Sequence, residues 1–302
     1  MDPVGPVVVA TDLSDASRPA IERGGDHAAA LGVPLIVCHV VPDVFRQHPL
    51  MPTSAENDLL FGPDLIARAA ELVTNQVTDV LGASAGDARV TVESGAPDEE
   101  IVRIAEANRA SLIAVGGKPR EGAQIVLGHV AERVVRYAHT SVLVARDGGP
   151  TKKILVATDF SEGALPALRI AGAIARSSGI HVTLLHVMKP PSSMLPSALM
   201  PLGNTWTPPA AAAVEQLEAL GLSTLESLAK EHGFASFEQR EGDPADVILE
   251  RAKELEVEMI ITGSRGRRGL VRLVLGSVAE KVIRNSLASV LVAREVIEAP
   301  RQ

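Results

Sequence analysis

Four small residues near the end of the chain have the spacing a phosphate cradle needs. In GSRGRRGLVRLVLGS, Gly263 and Gly266 are separated by two residues, and nine residues further on come Gly276 and Ser277. Glycines let backbone N–H groups approach phosphate oxygens closely. A helix opening at Ser277 would add free N–H donors and a favourable dipole. Ser277 also offers a hydroxyl, and Arg265, Arg267, Arg268 and Arg272 lie within the loop. The same residues would equally serve as a plain Gly-rich turn before a helix.

Two further stretches carry candidate chemistry. In ATDFS (Ala157, Thr158, Asp159, Phe160, Ser161), the carboxylate of Asp159 sits where a strand gives way to a helix. It can hold a ribose hydroxyl or, through a metal ion, polyphosphate oxygens. It can also be a helix-start Asp favoured by the dipole. In LLHVM, backbone groups of Val187 are placed to read an adenine edge. His186 reads as a structural histidine, since nothing nearby in the sequence would make it a base.

These stretches need strands and helices to position them, and an internal repeat shows which. VVVATDLSDASRPA (from Val7) matches ILVATDFSEGALPA (from Ile154), and VPLIVCHVV (from Val33) matches IHVTLLHVM (from Ile180). Further on, VLGHVAERVVR matches VLGSVAEKVIR, and SVLVAR occurs twice. A period this long is a domain duplication rather than a solenoid. The expected domains are residues 1–147 and 151–302, joined at Gly148, Gly149 and Pro150, which are turn formers.

Within the second copy, KILVAT, HVTLLHV, a weak ASFEQ, EMIIT and SVLVAR read as strands. Helices are expected after Ser161 (as N-cap), Pro209, Pro244 and Gly276, with Gly179 and Gly233 closing the first two. Apolar strands alternating with helices predict an α/β fold, a parallel sheet covered on both faces and doubly wound. Asp43 to Pro63 and Lys189 to Pro209 are expected to be irregular loops.

Composition narrows the function. The formal net charge of −8 is the wrong sign for a general nucleic-acid binder, and 2% aromatics leave few stacking platforms. Cys38 is alone and lies in an apolar run, so a small buried hydrophobe in a reducing compartment is expected. No signal peptide or membrane-spanning run is read, so the cytoplasm is the expected location.

VATDFS, LLHVM, SVLVAR and the spacing of Gly263, Gly266, Gly276 and Ser277 together resemble the universal stress protein family in its tandem two-domain form. The resemblance covers nearly the whole chain. It implies two tandem five-stranded parallel sheets of order 3-2-1-4-5 flanked by helices, with Asp159 and the Gly263 loop on one crevice. It also implies ATP binding with a divalent ion such as Mg²⁺, at Ala157, Thr158, Asp159, Val187, Gly263, Arg265, Gly266, Gly276, Ser277 and Val278. Finally, it implies an intrachain pseudo-dimer, Val142-Leu143-Val144 against Val290-Leu291-Val292, and leaves homodimer assembly open.

The first copy departs from this pattern. Gly116 matches Gly263, but Pro119 stands in place of Gly266, His129 replaces Ser277 and the loop is one residue short. Proline has no N–H and cannot take a left-handed conformation. Asp12 is kept. The expectation is one working ATP site, in the second copy, with Lys118, Arg120 and His129 as a compensated set in the alternative. The chain then reads as a nucleotide-dependent stress regulator with an unidentified protein partner. A slow ATPase or nucleotidyl-transfer enzyme, or a nucleotide-independent scaffold, are the other readings.

Overall fold

The computed structural model describes residues 5–42, 63–117, 127–147, 152–189, 211–264 and 275–295. The first copy runs β1 (Val7–Ala10), α1 (Arg18–Leu31), β2 (Leu35–Pro42), α2 (Pro63–Leu81), β3 (Ala88–Gly95), α3 (Pro97–Ala107), β4 (Leu112–Gly116), α4 (His129–Tyr137) and β5 (Ser141–Ala145). The second repeats it as β6 (Lys153–Thr158), α5 (Leu165–Ser178), β7 (His181–Met188), α6 (Ala211–His232), β8 (Ser236–Glu241), α7 (Pro244–Glu254), β9 (Met259–Gly263), α8 (Ser277–Asn285) and β10 (Ser289–Ala293). The two expected loops fall almost wholly outside the described residues.

The strands form one ten-stranded sheet, β3-β2-β1-β4-β5-β10-β9-β6-β7-β8. Each copy therefore has the order 3-2-1-4-5. Every pair within a copy is parallel, and the central pair is antiparallel, with Val142 opposite Val292, Leu143 opposite Leu291 and Val144 opposite Val290. Strand side chains alternate between faces. On β6, Leu155 and Ala157 enter the core under α3, α4, α7 and α8. Ile154 and Val156 enter the core under α1, α2, α5 and α6. Burial on both faces explains why β6 is a continuous apolar run.

Both cores cross the seam between copies. Leu143 and Leu291 are 3% and 1% exposed in the α1-side core. Leu291→Ala should therefore cost about 3 kcal/mol through lost burial and the cavity left behind, measurable by urea unfolding of the full chain.

Local signals explain the helix ends. Gly179 terminates α5 in the left-handed conformation at φ 61°, its N–H donating to Ala175 O, and Gly233 at φ 74° follows α6. Ser161 does not act as the expected N-cap. A 3-10 turn, Glu162–Ala164, comes first, and the Ser161 side chain turns back to Asp159 instead. The lone Cys38 is fully buried on β2, and burial pushes its thiol up to about 12.

Candidate functional site

β6 lies between β7 and β9, where the winding reverses. At such a point the two flanking connections leave in opposite directions and open a crevice at the carboxyl ends of the strands. Ala157 and Thr158 end β6, and Gly263 ends β9. Asp159 follows directly, half-buried. Its Oδ1 accepts the Ser161 N–H at 3.0 Å and the Ser161 hydroxyl at 2.6 Å. This is a tight Asx turn that aims the chain away from the strand.

The turn contains a backbone feature the sequence did not reveal. Phe160 has φ of 63°, and its repeat mate Leu13 has 65°. A bulky side chain in the left-handed region costs on the order of 1 kcal/mol and persists where the surroundings impose it. Thr158 Oγ1 accepts the Phe160 N–H at 3.0 Å, as Thr11 Oγ1 accepts the Leu13 N–H. His186 Nδ1 lies 2.8 Å from Thr158 O, its ring centroid 4.1 Å from that of Phe160. His39 makes the matching contact with Thr11 O at 2.8 Å. Each histidine thus fixes the turn carrying its copy's aspartate. The signal was available in the sequence: CHVV and LHVM place a histidine at the same repeat position.

Gly263 has a structural reason of its own. A Cβ there would lie 2.4 Å from Gly163 O, and at Gly116 it would lie 2.3 Å from Ala16 O. The first glycine of the motif thus lets the end of the fourth strand of each copy touch the turn after that copy's first strand. Packing therefore keeps Gly116 in the copy whose loop is otherwise altered.

At the other end of the loop, Gly276 is the N-cap of α8, with φ −66° and ψ 145°. Its N–H donates to Ser264 O at 2.9 Å, and Ser264 N–H donates to Ala293 O. The start of α8 is thereby fastened to β9 and β10. No side chain caps this start. By contrast, α7 is capped by the Asp243 carboxylate, which accepts from Ala245 N and Asp246 N. The first-turn N–H groups of α8, at Ser277 and Val278, have no capping side chain and form an anion-favouring end. Val187, half-buried on β7, completes the set. Ala157, Thr158, Asp159, Val187 and Gly263 therefore lie at or beside the carboxyl ends of the neighbouring strands β6, β7 and β9, and Gly276, at the start of α8, is tied to the end of β9 through Ser264. Arg265 and Gly266 lie outside the described residues, as do Lys118, Pro119 and Arg120. His129 opens α4 behind Gly128, which likewise has no side-chain cap.

The universal stress protein family model matches residues 3–146 and again 150–294. The chain belongs to the universal stress protein family. A universal stress protein of Mycolicibacterium smegmatis is 26% identical over 307 residues, covering 95% of this chain and 96% of the relative. The universal stress protein YxiE of Bacillus subtilis is 35% identical over 149 residues, covering 47% of this chain and 98% of the relative. Among solved structures, a universal stress protein from Archaeoglobus fulgidus shares the fold, with a TM-score of 0.68 at 24% identity over 95% of this chain and 98% of that one. The Mycolicibacterium smegmatis relative and the Archaeoglobus fulgidus structure each match over nearly their whole length, whereas YxiE matches about half of this chain. Among the described residues, no helix is long and apolar enough to cross a membrane.

The first copy's aspartate keeps its turn. Burial would raise the Asp12 carboxyl, but the Ser14 hydroxyl at 2.5 Å, the Ser14 N–H at 3.0 Å and weaker hydrogen bonds outweigh it. The carboxyl is held below its ordinary 3.8. A depressed folded value means the stabilisation is complete above 3.8 and is lost as pH falls through the folded value. Asp12→Asn should be less stable than wild type at pH 7. That difference should shrink as the pH is taken below 3.8 when the two are compared in urea titrations.

Proposed function

We propose that this universal stress protein is a nucleotide-dependent regulator with one ATP site, in the second copy. Residues 1–147 would form a domain with a degenerate nucleotide loop and residues 151–302 one with an intact loop. The observation that carries the reading is the start of α8. It has no capping side chain, it is tied through Gly276 to the end of β9, and it stands one strand from Asp159 at the point where the winding reverses.

The donor set suits a nucleotide. Ser277 and Val278 N–H groups and the Ser277 hydroxyl would take phosphate oxygens, with Gly276 leaving room for them. Arg265 and the backbone at Gly266 would add to this cradle. Asp159, fixed by Ser161, would hold a ribose hydroxyl, and the Val187 backbone would face the base from β7. A Mg²⁺ ion, when bound, would neutralise phosphate charge. Such an ion usually keeps several waters and takes one or two carboxylates plus phosphate oxygens; Asp159 would be its carboxylate in the alternative to holding the ribose.

What these residues do is bind and orient. Nδ1 of His186 is committed to Thr158 O, so that ring positions the Asp159 turn. Occupancy would then change conformation or partner choice, in the cytoplasm and within a chain that supplies its own dimer-like seam. Mg-ATP at about a hundred times its Kd should stabilise the full chain by about 2.7 kcal/mol, seen as a rise in the unfolding midpoint. An unchanged midpoint would remove this reading. The slow-ATPase reading would be favoured by steady phosphate release that Gly276→Val abolishes.

A further inference from the structure

The side of α8 remote from the proposed site holds a buried cation from the other copy. Arg146 follows β5 and is 1% exposed. Its Nη2 donates to Ile283 O at 2.6 Å, in the last turn of α8, and its Nη1 donates to Ala288 O at 3.3 Å. Its backbone N–H donates to Ser289 Oγ at 3.0 Å. Among the described residues no carboxylate pairs with it, and burial pushes its guanidinium down to about 10. A mirror arrangement exists, in which the Arg294 guanidinium donates to Val135 O and Ala138 O at the end of α4, and Arg294 N–H donates to Ser141 Oγ at 3.1 Å.

A buried cation answered by carbonyls alone is costly, and an apolar residue of similar volume would often serve stability as well or better. A positive charge at a helix C-terminus and an anion at its N-terminus both complement the same dipole. The nine residues of α8 separate them by about 14 Å.

We infer that Arg146 is a positioning residue for the phosphate end of the second copy's site, so that the first copy completes its neighbour's site from behind α8. This rests on the nucleotide reading above. It gives the first copy a task that its altered loop does not impair.

The test is calorimetric titration of the full chain with Mg-ATP, ADP and adenosine, comparing wild type with Arg146→Met, Arg146→Lys and Ser289→Ala. Arg146→Met removes the charge and also takes the donor from the Ile283 and Ala288 carbonyls, a structural effect that ATP and adenosine would feel alike. It should weaken ATP about five- to tenfold, the size expected for a unit charge at that distance in a medium of intermediate dielectric. ADP should weaken less, and adenosine by less than about twofold. A lysine buried there lowers its pKa more readily than arginine, so Arg146→Lys should bind ATP as weakly as Arg146→Met at high pH and recover toward wild type as the pH is lowered. Ser289→Ala loosens the same seam and should leave ATP affinity unchanged. Equal losses for ATP and adenosine, or unchanged ATP affinity in Arg146→Met, would overturn the inference while leaving the nucleotide site standing. Should Arg146→Met fail to fold, a loss of ATP affinity in Arg146→Lys that does not recover as the pH is lowered would overturn it too. Wild-type protein that binds no ATP would instead remove the nucleotide reading itself, and this inference with it.

Discussion

Gly276→Val is expected to weaken Mg-ATP binding about a hundredfold, while Gly128→Val leaves ATP affinity as in wild type. The reason is where a side chain at Gly276 would go. At φ −66° and ψ 145° the backbone is one any residue adopts, so valine brings no backbone strain. The N–H of residue 276 can still reach Ser264 O. On the nucleotide reading, phosphate packs close against the Gly276 backbone, so a side chain at that position would keep it from the Ser277 and Val278 N–H groups. Losing two or three charge-assisted hydrogen bonds to phosphate costs two powers of ten or more in affinity. Gly128 has φ −58° and ψ 145° and caps α4 in the same manner, so the two variants are matched in backbone terms. The difference between the copies would then lie in the loop, where Pro119 and His129 replace Gly266 and Ser277. Equal loss in both variants would mean that the first copy binds as well.

Gly116→Ala is expected to destabilise the protein by about 3 kcal/mol without touching nucleotide affinity. The added methyl would sit 2.3 Å from Ala16 O and 2.9 Å from the Ala16 carbonyl carbon. Those are backbone atoms, so relief requires β4 to part from the turn after β1, an overpacking cost at the upper end of the usual range. Gly263→Ala meets Gly163 O at 2.4 Å and should lose as much stability, together with ATP affinity. Chemical unfolding beside calorimetry separates the two effects. A stable Gly116→Ala protein would show that this glycine has no packing role, and the explanation for its retention in the altered copy would fall.

Much of this could be read from the residues. Both cores bury each strand, so KILVAT and SVLVAR were legible as continuous apolar runs, and the family resemblance implied the seam pair Leu143 and Leu291 that the sheet contains. Gly179 at the end of α5 was legible because the left-handed turn there favours glycine. Other features were hidden because they depend on contacts between distant segments. Ser161 looked like a helix cap, yet its hydroxyl serves Asp159. Gly263 looked like a phosphate glycine, and its close approach to Gly163 became visible once β6 and β9 were neighbours. The reciprocal Arg146 and Arg294 contacts follow from antiparallel pairing of β5 with β10. That pairing brings the end of each copy's last strand to the C-terminus of the other copy's last helix. The repeated SVLVAR held the residue but not its partner.

The most direct test of the central claim is the stoichiometry of Mg-ATP binding to the nucleotide-stripped full chain, measured by calorimetry at protein concentrations well above Kd. One ATP per chain is the predicted result. Two per chain would contradict it by showing that Lys118, Arg120 and His129 compensate for Pro119. None, in folded protein, would leave the fold without a nucleotide site and favour the scaffold.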